Sequence, residues 1–139
     1  MHYHAEMTTL TYSQIAIIGA GAMGRGIAQI AAQAGSTVLL HDVSAAAIAQ
    51  AITSLHSQWD KLQDKGRLSA DAVAACKSRL LAAEQLIDLA DCQLVVEAVV
   101  ERLDIKRQLF ADLEQVLSPE AVLASNTSSL SITESLSDR

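Results

Sequence analysis

The segment IIGAGAMG, Ile17 to Gly24, constrains this chain more than any other. Its three glycines stand in the order GxGxxG, after the apolar run QIAII (Gln14 to Ile18) and before an alanine-rich run that predicts a helix over Gly24 to Ala34, ended by Gly35. In a strand-turn-helix unit each glycine has its own reason. Gly19 permits the tight turn, Gly21 leaves room for a pyrophosphate against the backbone, and Gly24 lets helix and strand pack closely. The helix start then offers unpaired N–H groups and a positive dipole end to the anion. Glycine-rich turns also arise for purely geometric reasons, so the context carries the signal. TVLLH (Thr37 to His41) supplies a second strand and completes a βαβ unit, and Asp42 follows at its tip, eighteen residues after Gly24. A carboxylate there accepts both ribose hydroxyls of an adenosine and repels a 2′-phosphate. With no arginine in DVSAAA, the expected cofactor is NAD rather than NADP. The competing reading of Asp42 is a helix-end carboxylate near Ser44, stabilised by the dipole.

The rest of the chain alternates in the same way. Ser44 caps a long predicted helix whose apolar residues Ile48, Ile52, Leu55, Trp59 and Leu62 fall at steps of four and three, with Gly66 just past its end. Ser69 opens a second helix to about Arg79, so residues 44 to 80 read as a helical pair where a plain doubly wound sheet needs one crossover. A short strand near Leu80 to Ala83, a strand over Leu94 to Val100 (LVVEAVV), a helix over Arg102 to Leu117 closed by Pro119, and a strand over Ala121 to Ser125 complete the pattern. Buried strands joined by helical crossovers imply an α/β fold with a mostly parallel sheet covered on both faces.

Composition narrows the partners. A formal charge of −6 and 3% aromatic residues leave little to track phosphates or stack bases, which argues against nucleic acid. The N-terminal segment lacks the pattern of a signal peptide, and no apolar run approaches the ~20 residues of a membrane span, so a cytoplasmic protein without membrane contact is expected. Cys76 and Cys92 lack metal spacing and read as buried thiols in a reducing compartment; no metal is expected. His2 and His4 read as residues of a flexible tail or leader over residues 1–12, leaving one domain over 13–139.

In open α/β sheets the reacting groups gather beyond the carboxyl ends of the strands, where strand order reverses. Glu101 and Lys106 after LVVEAVV, and Ser128 with Ser129 after AVLAS, should converge there. Locally, Glu101 and Lys106 also fit exposed charges in the first turns of a helix, and Ser131 with Glu134 forms a capping box. The box leaves Asn126, Thr127, Ser128 and Ser129 unexplained.

GAGAMGRGIAQ, the HD of VLLHD, VVEAVVERLDIK and ASNTSSLSI closely resemble the N-terminal domain of L-3-hydroxyacyl-CoA dehydrogenases, among them bacterial 3-hydroxybutyryl-CoA enzymes, from about Ser13 to Arg139. The resemblance implies a Rossmann-type doubly wound sheet with the inserted helical pair. It implies an NAD site formed by Gly19, Ala20, Gly21, Ala22, Met23, Gly24, Asp42, Ala98, Val99, Val100, Glu101, Lys106 and Ser128. Ser128 would be the catalytic residue that bonds the 3-oxygen of substrate beside the nicotinamide, and Lys65 would contact coenzyme A. A second serine contact of the family corresponds to Gln58 here.

The family's general base is a histidine about twenty residues beyond the NTSS serine, oriented by a glutamate further on, and these 139 residues stop short of both. His41, beside Asp42, and His56, on the long helix, do not replace it. The helical C-terminal domain through which the family dimerises is likewise outside residues 1–139. The expected function is therefore the NAD-binding part of a dehydrogenase that interconverts 3-hydroxyacyl-CoA and 3-oxoacyl-CoA, inactive as this chain alone. The alternatives are a non-catalytic NAD-binding module and a hydroxyacid dehydrogenase of the 6-phosphogluconate type, which also carries a GxGxMG loop.

Overall fold

The computed structural model describes residues 12–99 and 103–125, with the side chains of 103–105 excluded. The expectations for His2, His4, Val100, Glu101, the NTSS run with Ser128, and the Ser131–Glu134 capping box lie outside the described residues.

The elements are β1 (Gln14–Ile18), α1 (Ala22–Gln33), β2 (Thr37–His41), α2 (Ala45–Asp64), α3 (Ala70–Arg79), β3 (Leu80–Ala82), a 3₁₀ turn (Leu86–Leu89), β4 (Leu94–Glu97), α4 (Leu103–Val116) and β5 (Val122–Ser125). The strands form one sheet in the order β3-β2-β1-β4-β5, and every pairing is parallel. Strand order reverses between β1 and β4, so the crevice for a ligand opens there, beyond Ile18 and its register partners His41 and Glu97.

The largely apolar central strands follow from burial on both faces. On β1, Ile15 and Ile17 face a core shared with α1, α2 and α3, whereas Ala16 and Ile18 face a second core with Phe110 and Leu113 of α4. The predicted stripe on α2 is that packing face: Ile48, Leu55 and Trp59 are buried, and Ile52 and Leu62 pack against the first core. Trp59 satisfies its indole N–H on Gln33 Oε1 at 3.0 Å, tying α2 to α1.

The helical pair is set by its termini. Ser44 and Ser69 each accept an N–H three residues on, from Ala47 and Ala72, both at 3.1 Å. At the far end of α2, Gly66 has φ +74°, and Arg67 N–H and Gly66 N–H reach back to the carbonyls of Leu62 and Gln63. That closure satisfies two helix-end carbonyls and turns the chain into α3.

Three differences from expectation have an evident physical cause. Helix α1 begins at Ala22 rather than Gly24, because Gly21, in extended conformation, already serves as its N-cap. The 3₁₀ turn at Leu86–Leu89 has too few residues to show a periodicity in sequence. Strand β4 stops at Glu97 instead of reaching Val100, although the apolar run continues. Ala98 N–H makes the last bond across the sheet, to Ile18 O at 2.8 Å. The next amide, Val99 N–H, turns to the Glu97 side chain.

Candidate functional site

The glycine loop closes on two backbone contacts. Gly19 has φ +113°, and a Cβ there would stand 2.7 Å from the Ala98 carbonyl oxygen. At Gly24 a Cβ would stand 1.8 Å from Gly19 O, so the first turn of α1 lies directly against the loop. Gly21 is the opposite case: nothing lies within 4 Å of where its Cβ would be. It caps α1 without any side-chain hydrogen bond, and no acidic residue occupies the helix's first turn. The amides of that turn therefore face an open approach, the arrangement that accepts a phosphate.

Asp42 joins this loop to the exit of β2. Its Oδ2 accepts Ala20 N–H at 2.9 Å, and its Oδ1 accepts Ser44 N–H at 3.0 Å. The helix-end reading of Asp42 is thus realised by the Ser44 bond, while the Ala20 bond makes the carboxylate a brace for the glycine loop. Each oxygen retains a lone pair for a ribose hydroxyl. Gly19, Ala20, Gly21, Asp42, Val43, Ala98 and Val99 line one cleft of about 400 Å³, so the structure brings together the loop, the carboxylate and the exit of β4. Met23, half-exposed, stands on the first turn of α1 with Ala22.

Beside the cleft lies a buried polar cluster. Glu97, with no exposed surface, accepts Val99 N–H on Oε2 at 2.7 Å and the Ser125 hydroxyl on Oε1 at 2.6 Å. Lys106 Nζ lies 3.3 Å from the same Oε1, and its side chain is only 1% exposed. Lys106 is therefore an interior cation, not the exposed helix charge that its local sequence allows. Sequence reasoning missed Glu97 altogether. The signal was the spacing of α4: Lys106 falls four residues before Phe110 and seven before Leu113, on the helix's inward stripe, where an ammonium requires a partner.

The described histidines and thiols are engaged in packing. His41 Nδ1 lies 2.8 Å from the Ala83 carbonyl, which can only accept, so that nitrogen carries the proton. His56 packs beside Trp59, with ring centroids 6.1 Å apart, and its Nε2 has no hydrogen-bond partner among the described residues. Burial, with the neighbouring Asp91 charge, pushes the Cys92 thiol up to about 11, and burial also raises Cys76. Neither is a nucleophile near neutral pH. Among the described residues no group of histidine, cysteine and carboxylate side chains could hold a metal ion, and no helix is long and apolar enough to cross a membrane.

Over residues 14–138 the chain matches the family described as "3-hydroxyacyl-CoA dehydrogenase, NAD binding domain". The chain belongs to the 3-hydroxyacyl-CoA dehydrogenase family. It is 45% identical over 120 residues to a 3-hydroxybutyryl-CoA dehydrogenase of Bradyrhizobium diazoefficiens, a match covering 86% of this chain and 41% of that protein. It is 43% identical to the 3-hydroxyadipyl-CoA dehydrogenase of Escherichia coli, over 86% of this chain and 25% of the relative. Among solved structures, a 3-hydroxybutyryl-CoA dehydrogenase from Escherichia coli superposes with a TM-score of 0.84 at 41% identity, covering 89% of this chain and 26% of that one. The chain thus spans well under half the length of these relatives. What it holds is the NAD-binding domain of the 3-hydroxyacyl-CoA dehydrogenase family, and NAD is the cofactor. The residues fit that cofactor: open space at Gly21, uncapped amides on α1, and Asp42 with lone pairs to spare, without a basic residue among the cleft's lining residues.

Lys65 is not part of this cleft. It is exposed and caps the far end of α2, whose 20 residues separate it from the Asp42 end by about 30 Å of helix. Gln58 is exposed on the same helix.

Proposed function

We propose that the chain supplies the cofactor half of a reversible oxidation of 3-hydroxyacyl-CoA to 3-oxoacyl-CoA. The observation that carries this reading is the adjacency of the glycine-loop cleft to the exits of β4 and β5, in a chain of this family. When bound, NAD supplies the hydride acceptor. The first-turn amides of α1 and Gly21 receive the pyrophosphate, Asp42 receives the adenosine ribose, and Ala98 and Val99 floor the side toward β5. Val100, Glu101 and Lys106 belong to that same side by resemblance. Ser128, three residues beyond the end of β5, holds the 3-oxygen of substrate but cannot remove its proton near neutral pH. The proton-accepting histidine and the helical domain that pairs two copies come from residues beyond 139 in the longer proteins of the family. Two free, buried thiols accord with a reducing, cytoplasmic setting.

Because Asp42 faces the 2′-position with no arginine beside it, the chain should bind NADH more tightly than NADPH. The Asp42→Ala variant should lose NADH affinity and narrow the preference, read by fluorescence titration of the two reduced cofactors. Equal affinity of the unaltered chain for both would remove Asp42 from the ribose site.

By resemblance Lys65 contacts coenzyme A, and its exposed place at the far end of α2 leaves it open to an extended ligand. Lys65→Ala, in a form of the protein that turns over, should raise the Michaelis constant for acyl-CoA by severalfold at low salt, an exposed ion pair contributing about 1 kcal/mol or less. An unchanged constant at low ionic strength would leave Lys65 as a solvated helix-end charge.

A further inference from the structure

We propose that Glu97 is a positioning residue for the nicotinamide side of the cleft, setting the floor at Val99 in register with the exit of β5 at Ser125. The inference rests on the proposed seating of NAD across the glycine loop. One fully buried carboxylate holds three elements: the exit of β4 through Val99 N–H, the exit of β5 through the Ser125 hydroxyl, and α4 through Lys106. Glu97 and Ser125 are register partners at the last rung of the β4–β5 ladder, so the side-chain bond extends the pairing where the backbone ladder ends.

Cohesion alone does not account for a charge here. A buried ion pair adds little stability over apolar side chains of the same volume, because desolvation offsets the attraction. What it supplies is direction, since each oxygen of the carboxylate has a defined partner. The location decides which half of the ligand is affected. A dinucleotide lies across the switch point with one half over each side of the sheet. Asp42 stands on the β2 side with the adenosine, and Glu97 on the β4–β5 side with the nicotinamide.

The test separates the two halves of the ligand. NADH and ADP-ribose share the adenosine and both phosphates, and only NADH carries the nicotinamide. In the Glu97→Gln variant, an amide turned to keep Ser125 and Lys106 on its oxygen sets its own N–H against the Val99 N–H. Titrations of the full 139-residue chain should show NADH affinity falling about tenfold or more, the scale of a lost hydrogen bond to a charged group, with ADP-ribose affinity within about twofold. A role in stability alone would lower the unfolding midpoint and leave the ratio of the two affinities as it is in the unaltered chain, which would overturn the proposal. Should Glu97→Gln fail to fold by circular dichroism, Ser125→Ala decides the matter, since it removes the hydroxyl bond to Glu97 without stranding a charge. A severalfold fall in the NADH to ADP-ribose ratio supports the proposal, and an unchanged ratio overturns it. If the unaltered chain binds ADP-ribose but gains nothing from the nicotinamide, the positioning role of Glu97 falls while the glycine-loop assignment stands. Binding of neither ligand overturns the seating and, with it, the inference.

Discussion

Purified by itself and given NAD and 3-hydroxybutyryl-CoA, the 139-residue chain should form NADH at least ~10²- to 10⁴-fold more slowly than a full-length relative assayed beside it, the usual contribution of a positioned base. Hydride leaving the 3-carbon generates an alkoxide unless the hydroxyl proton is taken in the same step. The described residues offer no base for it. His41 donates Nδ1–H to Ala83 from a buried position, and His56 is packed against Trp59. Glu97 already accepts from Val99 and Ser125 and pairs with Lys106. In the role proposed for it, Ser128 would hold the oxygen without accepting its proton. Fusing the downstream residues of a relative should restore turnover. In that longer form Ser128→Ala should lower kcat more than it raises the Michaelis constant, because the hydroxyl contact strengthens as charge develops on oxygen. NADH absorbance from the short chain at a rate matching the full-length relative would place the base inside these residues and refute the division of labour.

The second large effect concerns Gly24. A methyl group there meets Gly19 O at 1.8 Å and Gly19 C at 2.9 Å, both backbone atoms that cannot rotate away. Relief requires α1 to lift from the loop, and overpacking of this kind costs about 1–3 kcal/mol or more. Gly24→Ala should therefore lower the thermal midpoint by several degrees and abolish measurable NADH binding together. Two neighbours serve as controls. Gly21→Ala, with open space around it, should leave the midpoint nearly unchanged while weakening NADH, since the methyl enters the path of the pyrophosphate. Gly26→Ala, on the exposed side of α1 and also unobstructed, should stabilise by about 0.5–1 kcal/mol through helix propensity and leave binding intact. Scanning calorimetry with parallel cofactor titration reads all three. A Gly24→Ala protein with the original midpoint would mean that helix and loop are not in the contact described.

The sheet was largely legible because its cause is local: short, mostly apolar runs bounded by turn residues fit strands buried on both faces, and serine caps with Gly66 mark the ends of the helical pair. The turn at Gly19 and the close packing at Gly24 were legible for a related reason, since both follow from the missing side chain at each position. The exit of β4 was not. LVVEAVV is uniformly apolar apart from its glutamate, and the strand ends where the Glu97 side chain captures Val99 N–H, an event that depends on Ser125 and Lys106 arriving from 28 and 9 residues away. The local alternative for Lys106, an exposed first-turn charge, is overturned by its burial beside Glu97, a partner that its sequence neighbours do not reveal. Tertiary partners, not local pattern, decide such residues.

Asp42 bears on any attempt to retool this scaffold for a phosphorylated coenzyme. The usual design is to delete the carboxylate and add a cation, and Val43, 99% exposed at the cleft, offers a natural place for an arginine. In this chain the carboxylate is also the strut that fastens Ala20 of the glycine loop to the amide of Ser44. On the proposed assignment, coenzyme selection and the fastening of the loop are thus vested in one side chain. A designer who removes it must supply a substitute acceptor, such as an asparagine oxygen turned toward Ala20, before a new cation at Val43 can act on an intact phosphate cradle.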